Sequence, residues 1–209
     1  KPGAAALDDQ SGGKQGMIDL GFFSPAGLLA WLNPRTRLGV VAIGVLLVPL
    51  AAGAQQTASA IPEPKPVWIA GVPNAVQIGD VVISGQPTRE AIKLLSMQGY
   101  HTVVSTRAPG ELDWDEKKEV EAAGMRFVSI PMPSPVEEIT DEQVARLAEV
   151  LEKAERPILL HCGSGNRIAG LWAVYLAERK GIPVERALDL GAKAGMRSVR
   201  SAVEKRLRR

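Results

Sequence analysis

A short loop in the carboxyl-terminal third of the chain holds the residues best suited to chemistry. It runs from His161 to Arg167 as His-Cys-Gly-Ser-Gly-Asn-Arg, and Cys162 is the single cysteine of the sequence. A cysteine thiolate is a strong nucleophile, and an arginine fork can grip two oxygens of an anion. Glycines allow successive backbone N–H groups to turn inward around that anion. The pattern therefore predicts a nucleophilic cysteine within an anion-binding loop.

We predict Cys162 and Arg167 as the catalytic residues of this loop. The predicted substrate-binding residues are the four between them: Gly163, Ser164, Gly165 and Asn166. The loop follows an apolar strand predicted at 157–161 and precedes a helix predicted at 168–180. The amino terminus of a helix that follows a strand attracts anions and favours the thiolate form of a cysteine. This position is consistent with the predicted chemistry.

Apolar runs alternate with amphipathic segments from residue 67 onward. Strands are predicted at 81–84, 101–106, 126–130 and 157–161, and helices at 88–99, 113–123, after Thr140, 168–180, 184–194 and 197–208. Such alternation is typical of an α/β fold. We therefore expect a single domain with a central, mostly parallel sheet of four to five strands flanked by helices.

The amino-terminal region has a different character. Residues 1–34 form an extension of uncertain role, and residues 35–54 combine two arginines with an apolar run and small residues typical of an export signal. The apolar run of about 16 residues is shorter than the roughly 20 that a membrane-spanning helix needs. Residues 55–66 are rich in Pro and Ala, which predicts a linker, and the folded domain would occupy 67–209.

These features predict an exported protein, either periplasmic or secreted. An anchored form would arise only if the apolar amino-terminal segment stays uncleaved, and in that case alone we expect contact with a membrane. The 25 basic and 23 acidic residues nearly cancel, which argues against a nucleic-acid partner. One cysteine excludes both an intramolecular disulfide and a thiolate zinc cluster, and we predict no metal and no cofactor.

The loop resembles the signature of the dual-specificity and tyrosine phosphatase superfamily, in which His-Cys is followed by a glycine-containing loop and an arginine. Those enzymes place five residues between cysteine and arginine, whereas this chain has four. The bacterial branch of beta-lactamase hydrolase-like, phosphatase-like proteins has the shorter loop and a Ser-Gly-Gln-Pro segment. Matches to that branch span 74–196 and include Ser84–Pro87, Val103–Arg107, Arg126–Pro131 and Leu171-Trp172.

The resemblance implies a cysteine-phosphatase-like fold and hydrolysis of phosphate monoesters through a phosphocysteine on Cys162. The substrate would be a phosphotyrosyl protein or a small molecule. Ile168 stands where many such phosphatases have a Ser or Thr that bonds to the cysteine, which implies weaker thiolate stabilisation. The family's general acid is usually an Asp, but the matching stretch from 131 to 140 has none. The candidate acids are Glu137, Glu138 and Asp141.

Two alternatives to the phosphatase remain open. Rhodanese-type sulfurtransferases also have a Cys-x-x-Gly-x-Arg loop, although this chain lacks their upstream Gly-His-Ile segment and their glycine-rich strand after the loop helix. A catalytically silent phosphate-binding module would also fit, since the chain lacks the usual Asp and has Ile168 after the arginine.

Overall fold

The computed structural model describes residues 61–209, which form one six-stranded sheet with helices on both faces. The strands are Lys65–Pro66 (β1), Val76–Ile78 (β2), Val81–Ser84 (β3), Thr102–Ser105 (β4), Arg126–Ser129 (β5) and Ile158–His161 (β6). The helices are Arg89–Met97 (α1), Glu116–Ala122 (α2), Asp141–Lys153 (α3), Asn166–Lys180 (α4), Val184–Lys193 (α5) and Arg200–Leu207 (α6). Thr88 and Thr140 cap the starts of α1 and α3 with their side chains.

The strands lie in the order β1-β2-β3-β6-β4-β5. The four strands β3, β6, β4 and β5 run parallel, while β1 and β2 form an antiparallel edge. This confirms the predicted α/β fold with a mostly parallel sheet. The sheet has one strand more than the upper end of the predicted range, because β1 and β2 are two and three residues long and too short to show a clear period.

Strand β6 is the structural centre of the domain. Its residues Ile158, Leu159 and Leu160 are fully buried, as expected for a strand with parallel neighbours on both sides and helices on both faces. His161 at its end pairs with Ser84 of β3 and Ser105 of β4. The carboxyl ends of three strands are therefore level, and the segments after them meet around Cys162.

Alternate residues of the central strands pack into two apolar clusters on opposite faces of the sheet. Leu160 faces the cluster formed by α3, α4, α5 and α6, whereas Leu159 faces the smaller cluster formed by α1 and α2. Helix α4 is buried from Arg167 to Leu176, since it lies between the sheet and the outer helices. The loop that precedes α4 is thus attached to the most enclosed helix of the domain.

The structure corrects part of the predicted linker. Ile61 packs against the larger apolar cluster, Glu63 forms ion pairs with Arg186 and Lys193, and β1 pairs with β2. Residues 61–66 therefore belong to the folded domain and not to a tether, because their apolar and charged side chains find partners on it. The predicted export signal, the extension before it and residues 55–60 lie outside the described residues. Within 61–209, no helix is both long enough and apolar enough to cross a membrane.

Helices α4 and α6 approach each other closely at Gly170. A Cβ on this residue would lie 2.6 Å from Cγ2 of Val199 and 3.2 Å from Cγ2 of Val203. We predict that Gly170→Val lowers the free energy of unfolding by about 1–3 kcal/mol, because it overpacks this contact. Urea denaturation measures the change, and Val199→Ala in the same chain should restore part of the loss. An unchanged midpoint in Gly170→Val would contradict the close packing.

Candidate active site

The loop from Cys162 to Arg167 connects the end of β6 to the start of α4. Gly165 is the residue before the helix and has φ = +93°, a left-handed conformation that residues with a side chain rarely adopt. A Cβ there would also lie 3.4 Å from the carbonyl group of Ser84. The sequence-predicted turn between strand and helix is therefore made by a glycine for which no other residue substitutes without strain.

The Cys162 thiol lies inside the loop, and the residue is only 1% exposed. Its sulfur accepts a hydrogen bond of 3.1 Å from the Gly165 N–H. This N–H points to the sulfur from the amino terminus of α4, where unpaired backbone donors and the helix dipole stabilise negative charge. Ile168 is fully buried in the core, and its aliphatic side chain has no hydroxyl to donate to the sulfur. The backbone of the short loop provides the donor instead.

The segment after β3 and the segment before β2 hold the outer side of the loop. Gly163 O accepts a hydrogen bond from Gln86 N at 3.2 Å, and Ser164 O accepts one from the Asn74 side chain at 3.3 Å. Gly163 and Ser164 are themselves exposed. Both residues therefore keep a surface that a substrate can reach, and their role in binding stays a prediction.

The Asn166 side chain faces away from the loop interior. It donates to Oγ of Ser198 at 2.8 Å and accepts from the Arg197 N–H at 2.6 Å. Both polar atoms of the side chain are thus bonded to the segment before α6, and the predicted role of Asn166 in substrate binding stays a prediction that concerns its backbone N–H. The side chain itself fixes the start of α4 to the carboxyl-terminal helices.

The Arg167 guanidinium is buried and has three hydrogen bonds. Arg167 is 8% exposed; Nη1 and Nη2 donate to the two carboxylate oxygens of Glu111 at 2.7 and 2.6 Å, and Nη1 also donates to Met132 O at 2.5 Å. The hydrogen bond with Glu111 raises the pKa of Arg167, and the nearby Cys162 sulfur adds to that effect. The structure thus brings the two predicted catalytic residues together.

Glu111 was not among the predicted site residues, although it bonds to two arginines. Its carboxylate contacts Arg167 as described and lies 3.5 Å from Nε of Arg107, and it accepts the Ala108 N–H at 3.0 Å. The hydrogen bond from Arg167 is the main cause that lowers the Glu111 pKa to about 2, against the effect of burial. The available signal was its position in the segment after β4, since β4 is parallel to β6 and ends beside the loop.

A second carboxylate, Glu116, reaches the site from the first turn of α2. Its Oε1 lies 3.1 Å from Nε2 of His161 and accepts a 2.5 Å hydrogen bond from the Gln86 amide. Glu116 is 5% exposed and His161 is fully buried. Burial raises the pKa of Glu116, but the nearby His161 and the hydrogen bond from Gln86 outweigh it, and the net shift is downward. The contact with Glu116 therefore helps to hold His161, the residue directly before Cys162, in place.

The three candidate general acids lie elsewhere. Asp141 forms an ion pair with Arg206, and Glu138 forms one with Arg209 at 2.9 Å, while Glu137 is exposed. In the part of the chain that the structure describes, no hydrogen bond or ion pair joins any of them to the loop. The expectation that one of them serves the site therefore finds no support in these contacts, because the capped start of α3 places two of them against the basic carboxyl terminus.

The low pKa of Glu111 predicts a pH-dependent contribution to stability. Because the folded pKa is about 2 and the ordinary value is 4.5, the ion pair with Arg167 stabilises fully above pH 4.5 and is lost as the pH falls toward 2. Allowing for partial exposure of the carboxylate, Glu111→Gln should lower the free energy of unfolding by about 1 kcal/mol at pH 7. Urea denaturation at pH 7, 4 and 3 should show the gap closing; a gap that widens in acid would contradict the pairing.

Removal of the Glu116 carboxylate should be more costly than removal of an exposed one on the same helix. We predict that Glu116→Ala lowers the free energy of unfolding by about 2–4 kcal/mol, because it leaves the fully buried His161 without its carboxylate partner and removes the 2.5 Å hydrogen bond of the Gln86 amide. Glu119→Ala is the matched control, since its contact of 3.8 Å with Arg89 is exposed, and we expect a loss below about 0.5 kcal/mol. Equal losses in urea denaturation would show that the buried pair does not stabilise the site.

Comparisons with known proteins agree with this architecture. The family described as "DSP-PTPase phosphatase fused to NAD+ Kinase" matches residues 77–207. The beta-lactamase hydrolase-like protein of Agrobacterium fabrum is 31% identical over 106 residues, 48% of this chain and 24% of that protein. The dual specificity protein phosphatase TpbA of Pseudomonas aeruginosa is 29% identical over 151 residues, 69% of this chain and 63% of that protein.

These matches leave the chain spanning from about a quarter to under two thirds of the curated relatives' lengths. Among solved structures, P. aeruginosa TpbA is similar with a TM-score of 0.55 and 22% identity, over 70% of this chain and 89% of that one. Tk-PTP in its active form has a TM-score of 0.52 and 21% identity, over 62% and 91%. The structures show a shared cysteine-phosphatase fold. The family match covers more than half of the sequence, and the chain belongs to the DSP-PTPase phosphatase family.

Proposed function

We propose that this chain is a cysteine-dependent phosphatase that hydrolyses phosphate monoesters. One observation supports it most directly: the buried Cys162 sulfur accepts the Gly165 N–H at 3.1 Å, and the buried Arg167 lies beside it. A nucleophile, an anion-binding backbone and a fixed cation therefore occupy one loop. Membership of the phosphatase family assigns that combination to phosphoryl transfer.

The chemistry would proceed in two displacements. The Cys162 thiolate attacks phosphorus, so that an S–P bond forms as the bond to the leaving oxygen breaks. Water then attacks the phosphocysteine, which releases inorganic phosphate and restores the thiolate. The Arg167 guanidinium and the N–H groups at the start of α4 would bind the equatorial oxygens and stabilise the charge that develops on them.

The substrate class follows from the leaving group that the site tolerates. Because none of Glu137, Glu138 and Asp141 contacts the loop, protonation of the departing oxygen would depend on solvent or on another group. Aryl esters leave more easily than alkyl esters without an acid, so the proposal favours phosphotyrosine or a small aryl phosphate. A structure of P. aeruginosa TpbA in complex with pTyr is also similar in fold to this chain, with a TM-score of 0.54.

A second candidate function is a phosphate-binding module without turnover. The same missing contact with an acid favours it, as does the absence of a hydroxyl at Ile168. The sulfurtransferase alternative has no comparable support, since the family that matches is a phosphatase family.

These functions can be separated by measuring phosphate release, phosphate binding and thiocyanate formation. We expect the chain to release phosphate from 4-nitrophenyl phosphate faster than from phenyl phosphate, and Cys162→Ser to reduce that release by at least about 1,000-fold, because the nucleophile is lost. Phosphate binding without turnover in the unaltered protein would favour the module. Thiocyanate formation from thiosulfate and cyanide would contradict the phosphatase proposal.

A further inference from the structure

Arg107 lies in the segment that follows β4, beside the exposed Gly163 of the loop. It is two residues beyond Ser105, which is level with His161 at the end of β6. Nη1 of Arg107 lies 3.6 Å from the position of a Cβ on Gly163, and Nη2 of Arg167 lies 3.9 Å from it. Two guanidinium groups therefore border the same exposed glycine, one buried in the loop and one beside its opening.

The Arg107 guanidinium is held at one end and free at the other. Nη2 donates to the carbonyl oxygen of Glu111, and Nε lies 3.5 Å from its carboxylate. No hydrogen bond or ion pair of Nη1 occurs with any residue from 61 to 209. The side chain is 18% exposed. Arg107 is thus a fixed cation with an unused donor at the edge of the site.

The net charge of the site favours a role for this donor in binding an anion. Arg167 and Glu111 form a pair with no net charge, because both oxygens of the carboxylate bond to the same guanidinium. With Arg107 included, the three side chains have a net charge of +1, which balances the negative charge of the Cys162 thiolate. Without Arg107 the site would have a net negative charge that disfavours a dianionic substrate, and the free Nη1 can donate to a carboxylate or phosphate oxygen.

We propose that Arg107 binds a second anionic group of the substrate, next to the phosphoryl group bound by the Cys162 loop. The preferred substrates would then be phosphomonoesters with a neighbouring phosphate or carboxylate. The inference rests on the proposed function in one respect, namely that the loop binds a phosphoryl group. It adds that the substrate has a second anionic group next to the phosphoryl group.

A purely structural role for Arg107 makes a different prediction. If Arg107 only braced Glu111, and through it Arg167, its loss would weaken every anion by the same factor. If it binds a second anionic group, its loss weakens ligands with two such groups much more than ligands with one. Inorganic phosphate and pyrophosphate are the matched pair of probes, because pyrophosphate contains a second phosphoryl group joined directly to the first.

The experiment measures both dissociation constants by titration calorimetry on the full chain with Cys162→Ser, which removes turnover. Four proteins are compared: this background alone, and the same background with Arg107→Gln, Arg107→Lys or Arg146→Gln. We expect Arg107→Gln to weaken pyrophosphate by about 10-fold or more and phosphate by at most about 3-fold, since a hydrogen bond between charged groups is lost only for the larger ligand. Arg107→Lys should retain part of the preference. Arg146→Gln removes an exposed charge from α3 and should change neither constant.

Equal losses for the two ligands would overturn the inference, as would a background protein that binds pyrophosphate no more tightly than phosphate or binds neither. Matching urea midpoints for the four proteins ensure that a loss of binding is not a loss of folding. If pyrophosphate binding depends on Arg107 but the unaltered chain releases no phosphate from aryl esters, the inference stands and the proposed phosphatase activity fails.

Discussion

The buried guanidinium of Arg167 is the constraint on which the site depends. A charged group in the interior is unfavourable unless its hydrogen bonds are satisfied, and a loss of one partner leaves a buried charge uncompensated. Here the partners come from two other segments, because Glu111 follows β4 and Met132 follows β5. One guanidinium, through an ion pair with Glu111 and a hydrogen bond to Met132 O, therefore joins three carboxyl ends of the parallel sheet. The segments around the loop must keep their places for Arg167 to remain buried.

The same arrangement limits how the arginine can serve a ligand. Nη1 already donates to both Glu111 and Met132, and Nη2 donates to the second oxygen of Glu111. The Nε–H and the second N–H of Nη2 remain for a phosphoryl group, so substrate and carboxylate would share the guanidinium without displacing each other. A pre-oriented fork of this kind needs little reorganisation when negative charge develops, which is where electrostatic catalysis gains most.

The elements with a strong local period could be predicted from the sequence. Strand β6, helix α4 and the glycine turn between them follow from a continuous apolar run, helical core spacing and Gly165. The edge strands β1 and β2 could not, because two or three residues show no reliable alternation. The ion pairs of Glu111 with Arg167 and of Glu116 with His161 could not be predicted for another reason: each joins residues more than 40 positions apart in sequence, and no local pattern encodes such a contact.

Sequence position also failed to identify a general acid. Glu138 lies in the stretch where the family usually has its acid and Asp141 directly follows it, yet ion pairs hold them to Arg209 and Arg206 at the carboxyl terminus. The second difference from the family pattern is the short loop itself. With four residues between Cys162 and Arg167, the arginine falls within the first turn of α4, so the helix backbone and the packing of α4 fix its direction. The Asn166 side chain strengthens that restraint, because it ties the same turn to the segment before α6.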